Sequence, residues 1–344
     1  MMKKIIIPLL FILTLPTLLS LDPKTYDSRY YAKFTSPEGI QFLSYSKVWE
    51  EDGLRELYNE LLKNKHGAEL SQLQEVRVIG SASKTNAAIR GRYNILTNSI
   101  TLYDGDKYTN PSLLRETLSH EYGHHFGYFY FQFHQFPFSK WAKLRSLANE
   151  PIRWDSFWNY SISSHEWNPQ EIFAEDYVLL YGATKKVDSK DVYSNEAFYV
   201  RTEHENQELS NVLENKELQQ YLETHTGITI DDNRLLKTPK LQFIHDNRLS
   251  FSITERKDVA YRLNLTFYEK VAGEFTQIDY QEMLNVTLEK RKSIIFLIDI
   301  PSSANYIKAN VDIVDLNTSI GLTTDYFNLM IEEDEFKKTI SILE

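Results

Sequence analysis

The 344-residue chain contains no cysteine. That excludes disulfides, cysteine nucleophiles and thiolate metal sites, and leaves histidine and carboxylate as the strong ligands for a metal. Positive charge is also short, with 38 Lys and Arg against 48 Asp and Glu and a net charge of −10. No basic stripe interleaved with aromatics runs through it, so no nucleic-acid partner is expected. Long apolar runs are confined to the N-terminus. There Met1–Lys4 supplies a basic region and Ile5–Leu19 an apolar run of 15 residues. This is shorter than the roughly 20 residues that span a bilayer and fits a secretory leader over residues 1–20. No other stretch is long and apolar enough to cross a membrane. The expectation is a secreted protein, associated with the cell surface if the leader is retained. Internal repeats and low-complexity linkers are missing as well, so any domains abut directly.

What is present is ordinary globular material with an aromatic excess. Apolar residues make up 42% of the chain, enough for a sizeable core, and its length suits two domains. The 22 Tyr, 19 Phe and 5 Trp favour half-buried strands and the walls of clefts.

Helical spacing of Val48, Leu54, Leu57, Tyr58, Leu61 and Leu62 predicts a helix between Ser46 and Lys65. Val76–Ile79 and Ser99–Tyr103 read as strands, and 81–93 as a polar loop. A marked helix follows. Asn110 is a good N-cap, Pro111 suits the first helical position, and Gly127 follows the last periodic residue, which places the helix over Pro111–Phe126. Its stripe of Leu114, Leu118, Tyr122 and Phe126 predicts burial beneath a sheet. A second helix opens at Pro169, and residues 205–225 read as a third. From Leu241 onward some seven short β-rich runs recur at intervals near ten residues, which suggests a small antiparallel sandwich. The fold class is therefore α+β, with domains at about 25–235 and 240–335.

Chemistry concentrates in Ser119-His-Glu-Tyr-Gly-His-His125. His120 and His124 stand four apart on a helix, so their rings leave the same face and can chelate one ion. Glu121 is displaced about 100° around the axis and can lie beside a water without replacing it as a ligand. Zinc lowers the pKa of such a water toward ~7, and a carboxylate base can take its proton. A third ligand is required, and Asn168-Pro-Gln-Glu-Ile-Phe-Ala-Glu-Asp-Tyr177 offers it. Glu171 and Glu175 share one helical face beside small Ala174. Two exposed acids so spaced repel by about 0.2–0.5 kcal/mol. The pair is more acceptable if Glu171 binds the cation and Glu175 accepts the free ring N–H of His120 or His124.

These two segments, some fifty residues apart, resemble the gluzincin metallopeptidases, closest to the branch with the anthrax lethal factor catalytic domain and the Pro-Pro endopeptidases. The resemblance covers about 95–180. It implies a zincin-like domain, Zn2+ held by His120, His124 and Glu171, Glu121 as general base and Glu175 supporting a ligand. It departs from the family at one point. Relatives carry a tyrosine several residues before the third ligand, held to stabilise the oxyanion, whereas this chain has Ser164 and His165 seven and six residues before Glu171. His165 or Tyr160 is left for that role.

Blander readings stand beside these. The histidine pair can be a structural accident of a helix, and Glu171 and Glu175 a solvated face. His125 is rotated away from the pair and reads as a packed residue. His134, in the aromatic run Phe129–Phe138, reads as core or lid, and Trp154, Trp158 and Trp167 as burial or groove. His66, His204, His225 and His245 have no partner pattern. The function expected is hydrolysis of peptide bonds in extracellular proteins, with cell-wall peptide crosslinks as a substrate alternative. The rival from another class is a surface-binding or adhesion protein with a vestigial or structural zinc site.

Overall fold

The computed structural model describes residues 29–156, 158–159, 162–245, 247–334 and 337–342. The leader and Tyr160 lie outside them. Within this range the chain is a mixed α+β protein and divides into two compact units. One comprises Met1–Ala183 with Asn215–Asp231, the other Thr184–Glu214 with Asp232–Glu344. No helix among the described residues is long and apolar enough to cross a membrane.

The first unit is built on a five-stranded sheet of order β1-β2-β3-β5-β4. Its strands are Ala32–Thr35 (β1), Gln41–Tyr45 (β2), Glu75–Ile79 (β3), Gly91–Asn94 (β4) and Ser99–Leu102 (β5). Strands β2, β3 and β5 run parallel, while β1 and β4 close the two edges antiparallel. Val76, Val78, Ile100 and Leu102 are fully buried, as near-continuous apolar strands at a sheet centre should be. Helix α1 (Glu51–Leu61) buries Leu54, Leu57, Tyr58 and Leu61, and Tyr58 packs 5.7 Å from the rings of Phe34 and Phe42.

Residues 81–93 are not wholly loop. Gly91–Asn94 pairs with β5 from Gly91↔Leu102 to Asn94↔Ser99. The Asn94 side chain accepts from the Leu96 and Thr97 amides, and Asn98 takes the left-handed conformation at φ 45°. This turn chemistry makes the hairpin. The four residues of β4 carry no apolar alternation of their own.

Helical structure starts at Pro111 as the sequence suggests, but as a 3-10 turn that leads into helix α2 (Arg115–Tyr130). Asn110 accepts from the Ser112 amide at 3.0 Å, Pro111–Leu114 form a 3-10 turn, and Leu114, Leu118, Tyr122 and Phe126 are buried. It does not stop at Phe126. Gly127 is interior, because a Cβ there would lie 2.8 Å from Phe173 Cδ1, so this glycine makes room for a ring rather than ending the helix. Helix α3 (Pro169–Tyr181) packs on α2. The third helix, α4 (Lys216–Thr226), is shorter than 205–225. The Asn215 side chain caps its start by accepting from Leu218, and Gly227 at φ 72° ends it.

The second unit holds two antiparallel sheets. A three-stranded one has the order β10-β7-β6, from Lys240–His245 (β6), Arg248–Ser252 (β7) and Ser293–Leu297 (β10). The larger has the order β14-β13-β11-β8-β9, from Val259–Val271 (β8), Glu274–Val286 (β9), Tyr306–Asp315 (β11), Phe327–Asp334 (β13) and Lys337–Ile342 (β14), with Gly321–Thr323 (β12) beside β11. Phe251 of the small sheet meets Phe327 of the large one at 5.8 Å between ring centres. Residues 184–214 belong to this unit. Val192, Ala197 and Phe198 pack on Ala260 and Val314, and Arg262, paired with Asp312 at 2.8 Å, lies over the Phe198 ring.

Candidate metal centre

Helices α2 and α3 assemble the site within the first unit. His120 and His124, one turn apart on α2, stand edge-to-face with ring centres 4.9 Å apart. Oε2 of Glu171, in the first turn of α3, lies 3.1 Å from Nε2 of both rings. One donor atom from each of His120, His124 and Glu171 lies within 4.8 Å of the others, a buried group that could hold a metal ion. Glu175, one turn further along α3, accepts from His120 Nδ1 at 2.6 Å. That bond holds a proton on Nδ1 and leaves Nε2 facing Glu171.

The electrostatics follow from packing charge out of water. Burial opposes the imidazolium of His120, yet hydrogen bonds to Glu171 and Glu175 outweigh it and hold its pKa well above the ordinary value. Burial acts against the Glu171 carboxylate too. The charge of His124 and hydrogen bonds from His120, His124 and His165 overcome it and hold Glu171 well below its usual range. Glu121 is 6% exposed. Burial raises its pKa, and the Glu171 charge pushes the same way against His120 and His124.

His165 also reaches the cluster. Its Nε2 lies 3.2 Å from Glu171 Oε2, and its ring stacks 6.2 Å from that of His120. Ser164 is turned elsewhere and accepts from Arg153 at 2.5 Å.

The remaining candidates fall outside the donor group. His125 is buried, donating from Nε2 to the Glu69 carbonyl at 2.8 Å with Nδ1 3.2 Å from the Tyr93 hydroxyl. His134 is buried against Phe173, donates from Nδ1 to the Phe131 carbonyl at 2.7 Å, and leaves Nε2 without a partner among the described residues. His66, His225 and His245 are exposed, and His204 accepts the Asn206 amide at Nδ1. Trp158 is exposed, while Trp154 and Trp167 are half-buried. Sequence reasoning missed Gly91, which lies against Glu121 from β4; the asparagines flanking that turn were the available signal. No protein-family model and no curated protein matches this chain.

Proposed function

We propose that the chain is a secreted zinc-dependent endopeptidase that hydrolyses peptide bonds of extracellular proteins, with a zincin-like first unit and an immunoglobulin- or fibronectin-like second one. The observation that carries this reading is the arrival of Glu171, from a helix fifty residues downstream, beside both rings of an HExxH pair. Two imidazoles and one carboxylate without sulfur suit zinc, and three protein ligands leave a position for water, as hydrolytic sites require. A sheet of three parallel strands closed by an antiparallel strand at each edge, with β4 and β5 against the histidine helix, supports the zincin-like assignment.

When bound, zinc supplies a Lewis acid that acidifies water and polarises a carbonyl. The chain's own residues do the rest. Glu121, buried beside the histidines, receives the proton of the attacking water. Glu175 keeps the proton of His120 on Nδ1. His165, with its Nε2 3.2 Å from Glu171 Oε2 and its ring beside that of His120, would donate to the oxyanion.

The test is metal analysis of the purified chain together with a peptide-library cleavage assay on wild type and Glu121→Ala. Both proteins should carry about one zinc per chain, and turnover should fall by about 10²–10⁴-fold in the variant. A zinc-loaded wild type that cleaves no peptide would favour the adhesion reading, in which the metal is structural.

A further inference from the structure

We propose that Gly91 is a positioning residue for Glu121. By lacking a side chain it lets the backbone of β4 lie directly against the carboxylate. The inference rests on Glu121 being the general base.

The contact is steric before it is chemical. A Cβ on Gly91 would lie 2.5 Å from Oε1 and 2.7 Å from Cγ of Glu121, and 2.6 Å from Cγ2 of Thr117. Thr117 precedes Glu121 by four residues, so both present the same face of α2 to the strand. Carbon and oxygen do not pack at such distances, and a buried carboxylate has little room to yield. Backbone conformation is not the reason for glycine here. The positive-φ glycines are Gly39, Gly227 and Gly273, and Gly91 is not among them. What position 91 requires is empty space.

Tyr93 completes the clamp. Its hydroxyl donates to Asn98 Oδ1 at 2.8 Å and lies 3.2 Å from His125 Nδ1. His125 in turn is anchored on the Glu69 carbonyl. The strand is thereby tied to α2 next to a proposed metal ligand, and the empty position at 91 falls over the base.

The experiment uses the full chain as wild type, Gly91→Ala, Glu121→Ala and the double variant. Melting is measured without metal, zinc content after loading, and kcat and KM on a peptide substrate. Gly91→Ala should lose about 100-fold in kcat, the scale of a displaced catalytic group, with KM and zinc content as in wild type. It should also melt lower than wild type, and the same substitution should lower melting less in the Glu121→Ala background, where the carboxylate is gone. If Gly91→Ala does not fold but the double variant does, the coupling is shown more strongly. Wild-type turnover in Gly91→Ala overturns the proposal, and so do equal melting losses in the two backgrounds or a double variant as unfolded as the single. Failure of the peptidase reading looks different: zinc-loaded wild type cleaves nothing, and the melting comparison alone then decides whether Gly91 makes room for Glu121.

Discussion

Gly123 of α2 lies so close to Ala174 of α3 that a Cβ on the glycine would come 3.0 Å from both the Cα and the carbonyl oxygen of the alanine. The contact falls between His120 and His124 on one helix and Glu171 and Glu175 on the other. Two small residues therefore set the separation at which a carboxylate reaches both imidazoles.

Gly123→Ala tests that spacing. In an ordinary helix interior the change would stabilise by about 1 kcal/mol through propensity. Here the new methyl meets backbone atoms, which cannot swing aside, so the helices must part. We expect net destabilisation of about 1–3 kcal/mol and weaker zinc binding, read by thermal melting and metal titration. A variant that gains stability and keeps its zinc affinity would contradict the account.

Glu175→Ala removes the acceptor of the His120 Nδ1 proton, a 2.6 Å bond. Zinc affinity should fall about 10- to 100-fold, measured by competition with a chelator of known affinity. Undiminished affinity would mean that packing alone orients the ring.

His165→Ala should lower kcat by about 100-fold while zinc content stays unchanged, if its ring donates to the oxyanion. Peptide hydrolysis and metal analysis on the same preparations separate that role from a ligand role, in which zinc would be lost instead. Unaltered kcat removes the assignment.

His134 provides a pH dependence of stability. Burial lowers its pKa from 6.5 to about 4. The unfolded chain binds a proton below 6.5 while the folded one stays neutral down to about 4, so this group's stabilisation is complete above 6.5 and is lost as pH falls through that window. Between pH 7 and pH 5 the loss is about 2 kcal/mol. Urea unfolding of zinc-free protein at the two pH values should show a smaller drop for His134→Gln than for wild type; equal drops would place the acid sensitivity elsewhere.

Much of this architecture is local and could be read along the chain. Asn110 and Pro111 begin the turn that leads into α2, Asn168 and Pro169 begin α3, and the stripe from Leu114 to Phe126 is buried. Capping and periodicity are short-range, so a few consecutive residues carry them. Strand β4 was not legible, because it is a strand by virtue of pairing with β5 and has no alternation of its own. Gly127 misled for a similar reason. A glycine that ends a helix and one that admits a neighbouring ring look alike until the neighbour, here Phe173, is in place.

The sequence by itself determined that His120, Glu121 and His124 share one helical turn, and that Glu171 and Glu175 share another, since helical spacing alone dictates which side chains face together. Only the tertiary structure decided that the two faces meet, how closely Gly123 lets them approach, and that β4 rests on Glu121 at Gly91. Distances between segments fifty residues apart come from packing of the whole core, and no local pattern encodes them.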